Sequence, residues 1–131
     1  MRRSALVICS TLLLSGCAAP EMVNLVPLEV DFSLQGSSPC STTPPAFEIR
    51  GIPAETRNLS ISLVDLNVPS FNHGGGRVSY SGGSSVPAGA FTYRGPCPPM
   101  GSTHRYEFTV SALDGNGRVI GRGRAVRPFP P

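Results

Sequence analysis

The chain predicts an all-β fold, an antiparallel β-sandwich of about seven strands. Three observations carry that prediction. Several segments alternate apolar and polar residues with a period of two, the pattern of a half-buried strand. No window repeats its apolar residues at the helical period. Finally, 14 prolines and 15 glycines punctuate 131 residues, which suits short strands joined by turns and interrupts long helices.

The first strand starts at Leu28, where Leu28, Val30, Phe32 and Leu34 alternate with Glu29, Asp31 and Ser33. Residues 35–45 are rich in Ser, Thr, Gly and Pro and form a loop that carries Cys40. Phe47 and Ile49 alternate with Glu48 and Arg50, and Gly51-Ile52-Pro53 closes that second strand. In the third strand Leu59, Ile61 and Leu63 alternate with Ser60 and Ser62, and by parity Asp65 shares the inward face. Residues 70–90 are Gly- and Ser-rich around a short strand at Val78-Ser79-Tyr80. Phe91 and Tyr93 suggest another short strand, leading into the rigid loop Gly95-Pro96-Cys97-Pro98-Pro99. The clearest strand follows: His104, Tyr106, Phe108, Val110 and Ala112 fall on one face, and Arg105, Glu107, Thr109 and Ser111 on the other. Asp114-Gly115-Asn116-Gly117 is a hairpin turn signal. Arg118 to Val126 returns as a weaker strand, which Pro128 to Pro131 end.

The N-terminus reads as a targeting segment. Arg2 and Arg3 precede an apolar run, Ala5 to Leu14, too short to span a bilayer as a helix. Leu14-Ser15-Gly16-Cys17 then resembles the lipobox of bacterial lipoproteins. This divides the chain into a signal peptide (1–16), a lipidated tether (17–27) and the sandwich domain (28–131). Cys17 would carry palmitate and further acyl chains, since more than one is needed for a stable anchor. The expected location is the bacterial cell envelope, and Ala18 after the cysteine points to the outer membrane, facing the periplasm. Cys9 leaves with the signal, so Cys40 and Cys97 remain, and in an oxidising compartment they are expected to pair. Free or metal-binding thiols are the alternative; no C-x-x-C or neighbouring histidine pair supports a zinc site.

The formal net charge is +3, and all 11 basic residues are arginine. Arg118, Arg122, Arg124 and Arg127 cluster near the C-terminus. A nucleic-acid partner would ask for a larger excess and interleaved aromatics, so none is expected. The cluster reads as a solvated strand face, with contact to anionic headgroups open to a membrane-tethered domain.

The inward rows hold the chemistry. His104 and Tyr106 are buried by the same parity as Phe108 and Val110, and Asp65 is the matching polar residue on the third strand. Inward polar groups need partners or a cavity. Three of them on two strands imply either a shared pocket at one end of the sandwich or three separately satisfied core groups.

Further motifs bear on that choice. Asp65-Leu66-Asn67-Val68-Pro69, His73, Tyr93-Arg94-Gly95-Pro96-Cys97-Pro98-Pro99 and His104-Arg105-Tyr106 occur in this order. Together they resemble the phosphatidylethanolamine-binding protein family over residues 38–115. The resemblance implies a small pocket for phosphate, acetate or a phospholipid's phosphoryl headgroup, lined by Asp65, His73, His104 and Tyr106. Imidazoles and backbone N–H groups of the Gly-Pro loop would donate to the oxyanion, and Asp65 would hold an imidazole in its donor tautomer. The implied activity is binding without turnover; no catalytic residue, cofactor or metal is assigned.

The chain departs from the family pattern in three ways. Asn67 stands where a second Asp is usual, Gly74-Gly75-Gly76 follows His73 where the family has His-Trp, and the chain has no tryptophan. The C-terminal helical part of longer members has no counterpart, which implies a more open mouth. Two other readings remain. One is a protein-interaction or inhibitor module with a vestigial pocket. The other, ranked lower, is a metal-dependent enzyme using Asp65, His73 and His104 as two-His, one-carboxylate ligands. His73-Gly74-Gly75-Gly76 also resembles a lipase oxyanion motif, but no G-x-S-x-G accompanies it.

Overall fold

The computed structural model describes residues 24–131; the signal segment, Cys9, Cys17 and most of the tether lie outside the described residues. The described chain is all-β: β1 (Val26–Pro27), β2 (Glu29–Phe32), β3 (Phe47–Arg50), β4 (Asn58–Asp65), β5 (Gly75–Ser79), β6 (Ser85–Val86), β7 (His104–Leu113) and β8 (Val119–Phe129). They form a five-stranded sheet in the order β1-β8-β7-β4-β5 and a three-stranded sheet in the order β2-β3-β6. Every pairing is antiparallel except β1 on β8.

Parity decides which faces meet. Leu59, Ile61, Leu63 and Asp65 of β4 are all buried, as are Tyr106, Phe108, Val110 and Ala112 of β7. The small sheet contributes Phe32, Phe47, Ile49 and Val86 to the same core. Phe108 lies at its centre, edge-on to Phe32 (4.8 Å between centroids) and to Phe47 (4.9 Å). These edge-to-face contacts add to the area that each ring removes from water. Asp65 faces Tyr106 in register, and His104 faces Phe129. The polar end of the inward rows therefore sits at one end of the sandwich.

β5 begins at Gly75, earlier than the Val78-Ser79-Tyr80 expected, because its glycines pair with Ile61–Ser62 without apolar side chains to mark them; four further differences each have a physical reason. Val26–Pro27, assigned to the tether, pair with Gly121–Arg122 as β1; two residues are too few to show a period. Ser85–Val86, read as loop, form β6 against Phe47–Glu48 for the same reason. Phe91 and Tyr93 do not form the expected strand. Their rings enter the core, while the Tyr93 and Gly95 amides donate to the Thr42 and Ser41 carbonyls (3.3 and 2.8 Å), so irregular backbone is satisfied without a ladder. β8 continues through Pro128 to Phe129; proline is tolerated where a strand has no partner on one side, and β1 reaches only as far as Arg122.

Cys40 and Cys97 form a disulfide, with Cα atoms 4.6 Å apart and 57 positions apart in sequence. The Cys40 N–H donates to the Pro96 carbonyl (2.8 Å) beside it. The bridge thus fastens the 35–45 loop to the Gly-Pro loop that borders the polar end of β7.

Candidate functional site

The chain reverses at the end of β4, and Asp65 organises the turn. Its Oδ1 accepts from the Asn67 and Val68 amides (2.8 and 3.2 Å). Its Oδ2 faces the His104 Nδ1 at 2.7 Å. Burial alone would push this carboxyl up; the bonds from His104, the Asn67 amide and Tyr106 outweigh it and hold Asp65 below its ordinary value. A buried carboxylate with this set of donors stays ionised and makes His104 Nδ1 the proton-bearing nitrogen.

Asn67 ties the turn to β7. Its Oδ1 accepts from the Arg105 amide (2.8 Å), and the Leu66 amide donates to the Arg105 carbonyl (2.8 Å). Sequence reading marked Asn67 only as a departure from a family pattern. In the structure it is the brace that sets where His104 begins its strand. The D-x-x-x-P spacing was its one sequence signal.

His73 arrives from the loop before β5 and is 3% exposed. Its Nδ1 donates to the Arg94 carbonyl at 2.6 Å, and the Arg94 amide returns a bond to the His73 carbonyl at 2.8 Å. The His73 ring stands edge-on to Tyr106 with centroids 5.6 Å apart, and the His104 ring lies on the other strand position at 6.4 Å from Tyr106. Tyr106 is fully buried, and its phenol is pushed up to about 12, chiefly by that burial. Tyr106 Oη accepts from the Cys97 amide at 3.3 Å. So Asp65, His73, His104 and Tyr106 form one cluster around the phenol ring.

One feature differs from expectation. The Gly-Pro loop was to supply N–H donors to an anion, but the Gly95 amide goes to Ser41, the Cys97 amide goes to Tyr106, and Pro96, Pro98 and Pro99 have none. The loop is a wall, not a donor set. The four groups pack on one another around the Tyr106 ring. A cavity of about 390 Å³ reaches His73, and its other walls are Thr42, Asn72, Gly74, Gly75, Thr92, Tyr93 and Arg94. It lies where the family's tryptophan would follow the histidine. Gly75 and Gly76 are there for packing: a Cβ on Gly75 would collide with the Ile61 carbonyl, and one on Gly76 with the Phe91 ring. Sequence reasoning also passed over Phe71, whose ring meets His73 at 4.7 Å and lies under the Arg94 guanidinium (5.9 Å).

Both imidazoles spend Nδ1 on the protein, and neither Nε2 has a partner among the described residues. Neither Nε2 is sealed in, since Thr56 Oγ1 is the sole buried, unpartnered side-chain polar atom among the described residues. No three His, Cys, Asp or Glu side chains among the described residues are placed to hold a metal ion. With both Nδ1 atoms turned to Asp65 and Arg94, the set is not arranged as a two-His, one-carboxylate triad.

Comparison with known proteins agrees with the motifs. The family model described as phosphatidylethanolamine-binding protein matches residues 73–125. A crystal structure of Escherichia coli YbcL, titled a new member of the mammalian PEBP family, aligns at 18% identity and a TM-score of 0.55, covering 67% of this chain and 80% of that one. A putative phosphatidylethanolamine-binding homolog, CT736 of Chlamydia trachomatis, aligns at 18% identity and a TM-score of 0.51, covering 81% of this chain and 97% of that one. No curated protein matches the chain in sequence. The family resemblance and the all-β family fold both stand.

Proposed function

We propose that this chain, a phosphatidylethanolamine-binding-type protein, is a lipid-anchored binding protein that takes a small anion, phosphate or a phosphoryl headgroup, at the Asp65, His73, His104 and Tyr106 cluster. One observation carries the reading. Two imidazoles flank the same phenol with Nδ1 pinned to the protein, which leaves two Nε2 atoms without a partner among the described residues and in touch with solvent. Fixed ring nitrogens of this kind donate to an oxyanion when they carry a proton. The buried carboxylate of Asp65 holds His104 in place and stays out of the ligand's reach.

The Gly74-Gly75 cavity beside His73 gives the ligand's remaining atoms a place that a tryptophan would fill. With Asn67 in place of a carboxylate, Asp65 is the cluster's one negative charge, and the Arg94 cation lies beside it over the Phe71 ring. That balance suits an anion. The protein binds and releases its ligand without turnover: no activated nucleophile is present in the cluster. Anchoring rests on the lipobox at Cys17, and the membrane is the outer membrane by the Ala18 rule.

Calorimetry with inorganic phosphate and with phosphoethanolamine tests the reading. The intact chain binds one equivalent of at least one of them. His104→Ala and His73→Ala each weaken that binding at least tenfold while melting as cooperatively as the parent. Binding that survives both substitutions would refute the site.

The second reading, a protein-interaction or inhibitor module, draws on one feature. Leu66, Val68, Phe71 and Met100 are exposed (38 to 103%) on the loops around the cluster. A partner that masks these side chains, without response to phosphate, would favour it.

A further inference from the structure

Parity sorts charge across the sandwich as strictly as it sorts apolar groups. The outward positions of β2 and β3 carry Glu29, Asp31 and Glu48 against one arginine, Arg50, which pairs with Glu29 (3.8 Å). The outward positions of the five-stranded sheet are opposite in sign. There Arg77, Arg105, Arg122 and Arg124 are all exposed, and Glu107 is the one carboxylate. Registers place Arg122, Ser111, Ser60 and Arg77 in one row across four strands, and Arg124, Thr109 and Ser62 in the next. At strand spacings of ~4.8 Å, the arginines frame a floor of small hydroxyls roughly 14 Å wide.

The C-terminal arginine cluster seen in the sequence therefore divides in two. Arg118 pairs with Asp114 in the hairpin (3.6 Å), and Arg127 turns to Asp31 of the small sheet (2.6 Å). Arg122 leans on Ser111 (3.2 Å), and Arg124 reaches Glu107 only at 3.9 Å. Both stay on the outer face and join Arg77 and Arg105. No strand of the described chain packs on that face.

The route of the N-terminal segment identifies the partner. β1 is the edge strand beside β8, with Pro27 in register with Arg122, and Leu25 and Val26 next to it are exposed. The segment that carries Cys17 thus joins the domain at the border of the arginine face. Eight residues separate Cys17 from Val26, a reach on the order of 30 Å when extended. We infer that the outer face of the five-stranded sheet docks on an anionic lipid bilayer, with the acidic three-stranded sheet turned away from it. The choice of a bilayer rests on the anchored reading of Cys17. Nucleic acid is a poorer fit because no aromatic side chain stands among these arginines to stack on bases.

The test uses the envelope-derived protein, lipidated at Cys17, with vesicles of phosphatidylcholine alone or of phosphatidylcholine mixed with phosphatidylglycerol. The acyl chains on Cys17 contribute to both; the arginine face contributes only to the difference between them. Each arginine near an anionic surface contributes about fivefold (about 1 kcal/mol). R77S/R122S/R124S should therefore lose roughly a hundredfold of the preference for anionic vesicles, R77K/R122K/R124K should keep it, and E29Q/E48Q should not lower it. Salt should weaken the preference of the parent, since the Debye length is only about 8 Å at physiological ionic strength. The inference is overturned if the triple serine variant prefers anionic vesicles as strongly as the parent, or if the parent shows no preference. Failure of the anchor itself would appear elsewhere, as an unmodified Cys17 in the mass of the envelope-derived protein.

Discussion

Asp65→Asn isolates the charge that holds the candidate site together. The carboxylate accepts from His104 Nδ1 at 2.7 Å, the Asn67 amide at 2.8 Å and the Val68 amide at 3.2 Å, and the Tyr106 phenol also favours its ionised form. Asparagine in the same rotamer keeps an oxygen for the two amides but turns an NH2 toward His104. The imidazole must then accept at Nδ1 and carry its proton on Nε2. Charge-assisted hydrogen bonds are roughly twice as strong as neutral ones, so the loss is about 1 to 2 kcal/mol. Asp65→Ala leaves these donors without their acceptor and should cost about 2 to 4 kcal/mol, softened because water reaches Asn67 and Val68. Urea denaturation across the acid range reads both. The fold holds Asp65 below its ordinary value of 3.8, so the unfolded chain takes up the proton first. The stabilisation is complete above that ordinary value and is lost as pH falls through the depressed one. The parent and Asp65→Asn should therefore differ near neutral pH and converge in acid. Equal stabilities near neutral pH, or a gap that persists unchanged in strong acid, would show that the carboxylate does not anchor the site.

Other predictions follow from separate features. Replacing Cys40 and Cys97 together by alanine should lower stability by about 4 kcal/mol, the loop-closure value for this separation; thermal melts with and without reductant should agree with it. Gly75→Ala should abolish cooperative folding, because its Cβ meets the Ile61 backbone, whereas Gly74→Ala, at φ +73 in open space, should cost only about 1 to 2 kcal/mol. In an alkaline absorbance titration Tyr93 and Tyr106 should resist ionisation until about pH 12. Burial favours the neutral phenol, so their stabilising effect persists below the ordinary value of 10 and is lost as pH rises toward 12; early ionisation of both would contradict their burial. Phe108→Ala removes the ring at the centre of the core and should cost about 3 to 5 kcal/mol in the same urea assay.

The sequence made the long strands legible because burial on one face imposes strict alternation. β4 and β7 each bury one face, so parity placed Asp65, His104 and Tyr106 inward without coordinates. It could not place His73, which sits on an irregular loop where no period operates; only the family pattern pointed to it. The pairing of Cys40 with Cys97 followed from elimination. What parity hides is the destination of backbone amides. The Gly95 and Cys97 N–H groups are consumed by Ser41 and Tyr106, and no side-chain pattern announces that. Nor does alternation reveal β1 and β6, whose two residues each are held by neighbours distant in sequence. Phe91 and Tyr93 alternate like a strand, yet serve the core from a loop whose hydrogen bonds run to residues 41–42 and 73.

The central claim is that two ring nitrogens from distant segments serve a single anion. Nitrogen-15 NMR of the imidazoles during a phosphoethanolamine titration tests it most directly. The account predicts that the Nε2 signals of His73 and His104 move together along one saturation curve, while their Nδ1 signals keep the shifts of nitrogens bonded to Arg94 and Asp65. Two unrelated curves, or movement of one ring alone, would contradict it.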